Sequence, residues 1–243
     1  MRKKLRRIYQ QCKRIIKENR YIFSKKLYLS FGENCLTDNI LDRYNIKSFT
    51  TVYSHGRSNI EYILQIEKDN YVNFINPQFI KYEELDSKLV PRLKIYDKIT
   101  NSYNKLHTNG FEFTHHDIIK DESIRDKFTK RIDRLNKYKG KKDIIIFYHH
   151  RLDALTDIDR LLGHLSELGQ LYSKGEHNAQ IILFYQNIVE NPIERKLEYK
   201  IFQNIHIFVF NSLNIWGGDD QELFWARCDE DLIGEMIKKV KRL

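Results

Sequence analysis

Three cysteines and three prolines among 243 residues are too few to organise a fold around either. Cys12, Cys35 and Cys228 are odd in number, far apart and without metal-site spacing. That excludes a disulfide framework and makes a reducing compartment the simplest setting. Ten glycines without a repeat exclude collagen-like and low-complexity chains. No uninterrupted apolar run approaches the ~18 residues a membrane-spanning helix needs. Nor does the apolar h-region of a secretory signal follow the charged start. Acid, finally, is almost missing from residues 1–26, where Glu18 stands alone against eleven Lys and Arg.

That local shortage decides what the overall charge means. The chain has 42 Lys+Arg against 33 Asp+Glu, a net +9. Residues 1–26 carry +10 of it and leave the rest at −1. Leu5, Ile8, Tyr9, Cys12, Ile15, Ile16, Ile22 and Phe23 recur at three- and four-residue steps through this segment. The pattern predicts a basic amphipathic helix over 1–26 lying on an anionic membrane surface. The competing reading is a helix docked on the body with its basic face in water. Nucleic acid is not expected as a partner, because the body has no aromatic-and-basic stripe, zinc finger or RNP-like segment. The expectation is a cytoplasmic protein, peripheral at the inner membrane face, with residues 27–243 forming one α/β domain.

Within the body, apolar runs alternate with amphipathic stretches. Residues 27–31, 46–53, 111–116, 143–150, 179–187 and 205–212 read as strands. Residues 34–44, 121–139, 156–173 and 229–242 read as helices, the stretch 56–106 leans helical, and a short helix follows Pro192. Continuously apolar strands separated by helices predict a mostly parallel, Rossmann-like sheet covered on both faces.

Most of these strands end in chemically capable residues: Ser30 to Cys35, Thr114 to Asp117, His149 to Arg151, Gln186-Asn187 and Asn211-Ser212. Parallel strands would bring these ends to one edge, where ligands of open α/β sheets bind. Cys35 is the candidate nucleophile. It follows a strand and a Gly turn at the start of a helix, where N–H groups and the helix dipole favour thiolate. Asn34, supported by Ser30, or backbone N–H groups would hold the oxyanion. A Cys nucleophile needs a His base and a carboxylate to orient it, and His115, His116 and Asp117 supply the types. Asp143, Asp219 and Asp220 are further orienter candidates. His115, Arg131, Arg134, His149, His150 and Arg151 are candidate substrate contacts, suited to anionic groups. A metal site from the four histidines lacks supporting spacing, so no metal and no cofactor is expected. Trp216 to Asp220 reads as a loop that either covers the site or simply turns.

The combination of Ser30-Phe31-Gly32-Glu33-Asn34-Cys35, Phe113-Thr114-His115-His116-Asp117 and Lys130-Arg131-Ile132-Asp133-Arg134 resembles a bacterial family of papain-like cysteine peptidases. Genes of that family often lie with surface-polysaccharide biosynthesis clusters. The resemblance covers residues 27–151 and implies Cys35, His116 and Asp117 as the catalytic set. The family's Ser-x-Pro-Phe-Asp-Trp stretch is replaced here by Phe49-Thr50-Thr51-Val52-Tyr53. The strand–Gly–Cys–helix junction is also similar to Cys-bearing relatives of the SGNH hydrolases and acyltransferases. The expected activity is therefore cysteine-dependent hydrolysis or acyl transfer on an acyl- or saccharide-type substrate, in capsule or surface-polysaccharide biosynthesis. The alternatives are a non-catalytic sugar- or phosphate-binding accessory protein and a glycosyl- or phosphotransferase.

Overall fold

The computed structural model describes residues 20–85, 88–96, 110–217 and 224–243. The expected basic helix, Asp219 and Asp220 fall almost wholly or wholly outside that set; of residues 1–26 only the last few are described. There, Arg20–Ile22 form a single 3₁₀ turn.

The central sheet has five strands: β1 (Lys26–Gly32), β5 (Asp143–His149), β6 (Ala179–Ile188), β8 (Ile205–Ser212) and β7 (Lys196–Phe202), in that spatial order. The first four are mutually parallel and β7 is an antiparallel edge. The alternation in β5 shows why the sheet is buried on both sides. Ile144, Ile146 and Tyr148 face one core, with α2 (Ile60–Lys68), α3 (Glu122–Tyr138) and α4 (Ile158–Tyr172). Ile145 and Phe147 face another, closed by α1 (Leu36–Arg43) and α5 (Glu230–Val240). A strand apolar at every position is stable only between two such layers. Among the described residues no helix is long and apolar enough to cross a membrane.

Four readings of the sequence need correction. Among its described residues, the helix-leaning stretch 56–106 holds one α-helix, α2. A hairpin follows, β2 (Ile80–Leu85) with β3 (Lys88–Leu93), and β4 (Phe111–Glu112) completes a separate three-stranded antiparallel sheet. The strand expected over 111–116 is therefore two residues long and lies outside the main sheet. Residues 46–53 run beside β1 without forming a strand, because side-chain hydroxyls take the places of a ladder. Ser48 Oγ accepts from Tyr28 N at 2.9 Å, and Thr51 Oγ1 donates to the Ser30 carbonyl at 2.7 Å. After Pro192 a single 3₁₀ turn leads into β7 rather than a helix.

One polar cluster ties the helical layer together. The buried Glu67 carboxylate on α2 accepts from the hydroxyls of Tyr53 (3.0 Å), Tyr172 (2.7 Å) and Tyr71, and from Lys139 Nζ (2.8 Å). Burial and the neighbouring carboxylate hold all three phenols well above their ordinary pKa, so they remain donors. Glu67→Ala strands three buried hydroxyls and an ammonium group. It should lower the unfolding free energy by about 3–5 kcal/mol in urea titration; a loss within experimental error would show the cluster to be energetically idle.

Candidate active site

Cys35 stands where the sequence places it, at the N-cap of α1, immediately after β1. The close packing of this junction explains Gly32: a Cβ there would lie 3.3 Å from the His149 amide nitrogen and 3.4 Å from Thr37 Cγ2. Asn34 Oδ1 accepts from the Leu36 amide at 3.0 Å, which fixes the turn into the helix. Its Nδ2 lies 3.4 Å from His149 Nδ1. Ser30 is buried, and its hydroxyl shares a 2.5 Å hydrogen bond with Thr37, which makes it a support for the junction.

A small pocket of about 110 Å³ opens at Cys35, lined also by Asn34, His55, Gly56, Arg57, Thr114, His115 and Trp225. His55 and Arg57 reach it because the loop after Tyr53 bridges to β4. Arg57 and Glu112 exchange backbone hydrogen bonds of 3.1 and 2.8 Å. Gly56 permits that approach, since a Cβ there would collide with the Phe111 ring at 2.2 Å. The thiol is not the ready thiolate that a helix start suggests. Burial pushes its pKa up, against the opposing pull of its own backbone N–H and the Arg57 guanidinium.

Asp38 lies on α1, one turn beyond Cys35, with its side chain 3% exposed. Its Oδ2 accepts from Lys47 Nζ at 2.9 Å and sits 3.9 Å from His55 Nε2. Burial lowers the His55 pKa, and the Asp38 charge offsets part of that. Behind His55, at 6.3 Å between ring centroids, stands His116. That ring also packs edge-on against Phe128 at 5.4 Å, and burial with the Arg131 charge lowers its pKa to about 4. His116 Nε2, Asp38 Oδ1 and Arg131 Nη1 are all buried without a hydrogen-bond partner among the described residues.

The shifted His116 has a consequence for stability. Below about pH 6.5 the unfolded chain takes up a proton that the folded ring refuses until about pH 4. Stability therefore falls as the pH drops through that window. The ring is partly exposed, so solvent screening confines the effect to about 1–2 kcal/mol. His116→Asn should flatten this part of a stability–pH curve, and an unchanged slope would assign it to other groups.

The remaining sequence-nominated residues divide. His115 is exposed and lines the Cys35 pocket. Asp117 is oriented away from a base: its Oδ1 accepts from Tyr82 at 2.7 Å and from the Lys120 amide at 3.2 Å. Arg131 lies over Phe128 (4.9 Å), whereas Arg134 lies over Tyr21 and Phe49 (5.8 and 5.3 Å) as a cation–π lid on the core. His150 is buried, its Nδ1 2.6 Å from Glu33 Oε1 and its Nε2 3.3 Å from Thr156 Oγ1. His149 packs against Phe184 (5.2 Å) and Trp216 (5.6 Å). His149, His150 and Arg151 all line a second cavity, of about 260 Å³, at the carboxyl ends of β5 and β6. Among the described residues no group of three or more His, Cys, Asp or Glu comes together to hold a metal.

His55 escaped the sequence reading. It belongs to no recognised motif and sits between the 46–53 run that reads as a strand and the helix-leaning stretch 56–106. The available signal was Ser54-His55-Gly56-Arg57, a polar tetrapeptide with the glycine of a tight passage.

A cysteine at the head of a helix after a parallel strand, in a pocket with a histidine, is the equipment of a cysteine hydrolase on an α/β frame. Residues 26–182 match the family model described as "Putative papain-like cysteine peptidase (DUF1796)". The match spans well over half of the chain, and the chain belongs to this family. No curated protein and no solved structure matches it.

Proposed function

We propose that the protein is a cysteine-dependent acyl hydrolase in which Cys35 is the nucleophile, His55 the general base and Asp38 the group that positions His55. The observation that carries this reading is the pocket shared by Cys35 and His55, with Asp38 one helical turn from the thiol. At neutral pH the thiol is protonated and the His55 imidazole is neutral, so the pair is set for general-base catalysis rather than as a preformed ion pair. His55 takes the thiol proton as sulfur attacks the carbonyl carbon. The Cys35 amide N–H and Asn34 Nδ2 would serve as donors for the oxyanion. The resulting imidazolium then protonates the leaving group, and water releases the acyl group in a second, equivalent step.

This assignment replaces His116 and Asp117 in the catalytic roles that the family resemblance implies. The Asp117 carboxylate is spent on Tyr82 and the Lys120 amide. His116 stands behind His55 and remains the rival base. The test of the main reading is trapping. Incubation with p-nitrophenyl acetate should release nitrophenol in a burst and leave an acetyl group on the Cys35 peptide, detected by mass spectrometry. Turnover with no acyl-Cys35 under quenching at any time would sink it.

A place on the cytoplasmic membrane face and in surface-polysaccharide biosynthesis remains part of the proposal. The charge of residues 1–26 and the 90% exposed Phe23 among them support the membrane place, and the family resemblance alone supports the polysaccharide role. The body begins before residue 26. Tyr21 is buried against Phe49 and Tyr138, and Lys142 Nζ donates to the carbonyls of Tyr21, Ile22 and Ser24. Removing residues 1–19 is thus the truncation that retains every described residue. It should lower binding to phosphatidylserine vesicles at least ~100-fold, at roughly 1 kcal/mol for each basic residue near the surface. Undiminished binding would place the membrane contact elsewhere.

A further inference from the structure

The second cavity and the Cys35 pocket share a wall. The Asn34 side chain lines the pocket at one end and meets His149 of the cavity at the other. Trp216 of the cavity is joined to Trp225 of the pocket through the Gly217 amide, which donates to the Trp225 carbonyl at 3.3 Å. Arg151 lies at this junction: a Cβ on Gly217 would be 3.7 Å from its Nη2 and 3.6 Å from Trp225 Cε3.

Two guanidinium groups flank the wall, Arg57 from the pocket and Arg151 from the cavity. Among the described residues, no side-chain hydrogen bond or ion pair takes up the Arg151 guanidinium. The nearby Glu33 carboxylate accepts instead from His150, Tyr148 and the Arg151 backbone amide. Among the described residues the Arg57 guanidinium makes one long ion-pair contact, to Glu112 at 3.6 Å. Burial lowers the pKa of Arg151, the Glu33 charge opposes that, and the Arg57 charge adds to it. Two partly desolvated, poorly paired like charges are costly in a folded protein, and a bound anion would relieve that cost. Leu152, Ile188, Ile215 and Trp216 give the cavity an apolar side, alongside the polar His149, His150, Gln186 and Asn187. Of the apolar four, Ile188, Ile215 and Trp216 lie beyond the residues that match the family model, which end at 182.

We infer that the pocket and the cavity are two parts of one substrate site, in which Arg57 and Arg151 hold a carboxylate or phosphate group of an anionic acyl compound while the adjoining apolar part fills the cavity. This rests on Cys35 being the nucleophile. The substrate is thus an ester, thioester or amide with an anionic group close to the scissile carbonyl. Neutral acyl compounds of the same size bind more weakly.

Alkylation by a charged and a neutral reagent separates this inference from the reading beneath it. Iodoacetamide reports whether Cys35 is an accessible nucleophile, and the ratio of iodoacetate to iodoacetamide rates reports the local charge. Both reagents react with thiolate, so the ratio does not depend on the fraction ionised. At about pH 8.5 and low salt, with Cys35 followed by peptide mapping, the ratio should exceed that of N-acetylcysteinamide at least ~5-fold. Arg57→Gln and Arg151→Gln should each lower it about 3-fold, and Arg57→Lys and Arg151→Lys should restore most of it. Arg242→Gln removes one exposed charge at the far end of the chain and should leave the ratio unchanged. Protection of Cys35 by inorganic phosphate assigns a phosphoryl group, and protection by acetate a carboxyl group. A ratio equal to that of the free thiol, or one lowered as much by Arg242→Gln as by the site variants, overturns the inference. A Cys35 inert to both reagents overturns it together with the nucleophile assignment.

Discussion

Cys35→Ala should reduce p-nitrophenyl acetate hydrolysis at least ~10⁴-fold, to the level of buffer catalysis, and abolish the burst. The size of the effect follows from covalent catalysis. With no sulfur there is no acyl intermediate, and the remaining polar groups serve only as weak positioning devices. Cys35→Ser is the sharper variant, because it keeps the volume and nearly the shape of the side chain. A serine hydroxyl is a much weaker nucleophile than a thiol, and His55 is here offset by burial from its ordinary basicity. The serine variant should therefore be almost as inactive as the alanine variant while unfolding at the same urea concentration as the wild type. A noncatalytic sugar- or phosphate-binding protein would keep its function in both. Retention of more than about a tenth of wild-type hydrolysis by Cys35→Ala would remove Cys35 from the mechanism.

The second large effect separates two histidines whose rings are 6.3 Å apart. His55→Asn should lower the acylation rate by about 10²–10⁴, the usual worth of a positioned base. His116→Asn should cost less than about tenfold. The asymmetry rests on position: His55 lines the pocket with the thiol, whereas His116 packs against Phe128 behind it, with its Nε2 buried. His116 is also a poor base, since a pKa near 4 leaves it little affinity for a thiol proton. Should the two variants show the reverse order, the family resemblance would have named the base correctly and the pocket geometry would be misleading.

The elements legible in the sequence were those whose burial leaves an unmistakable pattern. β1, β5, β6 and β8 are apolar at nearly every position because helices cover both faces, and α4 presents Leu161, Leu162, Leu165 and Leu168 to the core. Cys35 was legible too, because a strand, a glycine and a helix start occur consecutively. What escaped lacks such a pattern. β7 reads Lys-Leu-Glu-Tyr-Lys-Ile-Phe, half-solvated along a sheet edge, and its alternation is easily taken for a charged helix. The β2–β3 hairpin is interrupted by Pro91 and carries Glu83, Glu84 and Arg92. The site itself depends on contacts between residues far apart in sequence. His55 meets Asp38 because the 46–58 loop is pinned to β1 and β4 by hydroxyl and backbone bonds, and no local pattern announces that. The same holds for Asp117, whose neighbour His116 suggests a pair that the Tyr82 hydrogen bond replaces.

The central claim, a neutral thiol activated by His55, is tested most directly by the pH dependence of Cys35 acylation in the wild type and in His55→Asn. Burial lowers the His55 pKa and raises that of Cys35, so imidazole and thiol coexist across the neutral range. The wild-type rate should rise to a half-maximum below about pH 6.5 and then stay level to about pH 8.5. In His55→Asn that plateau should be replaced by a roughly tenfold increase per pH unit as thiolate forms unaided. A wild-type rate that already climbs tenfold per unit through neutral pH, or a plateau that survives His55→Asn, would contradict the account.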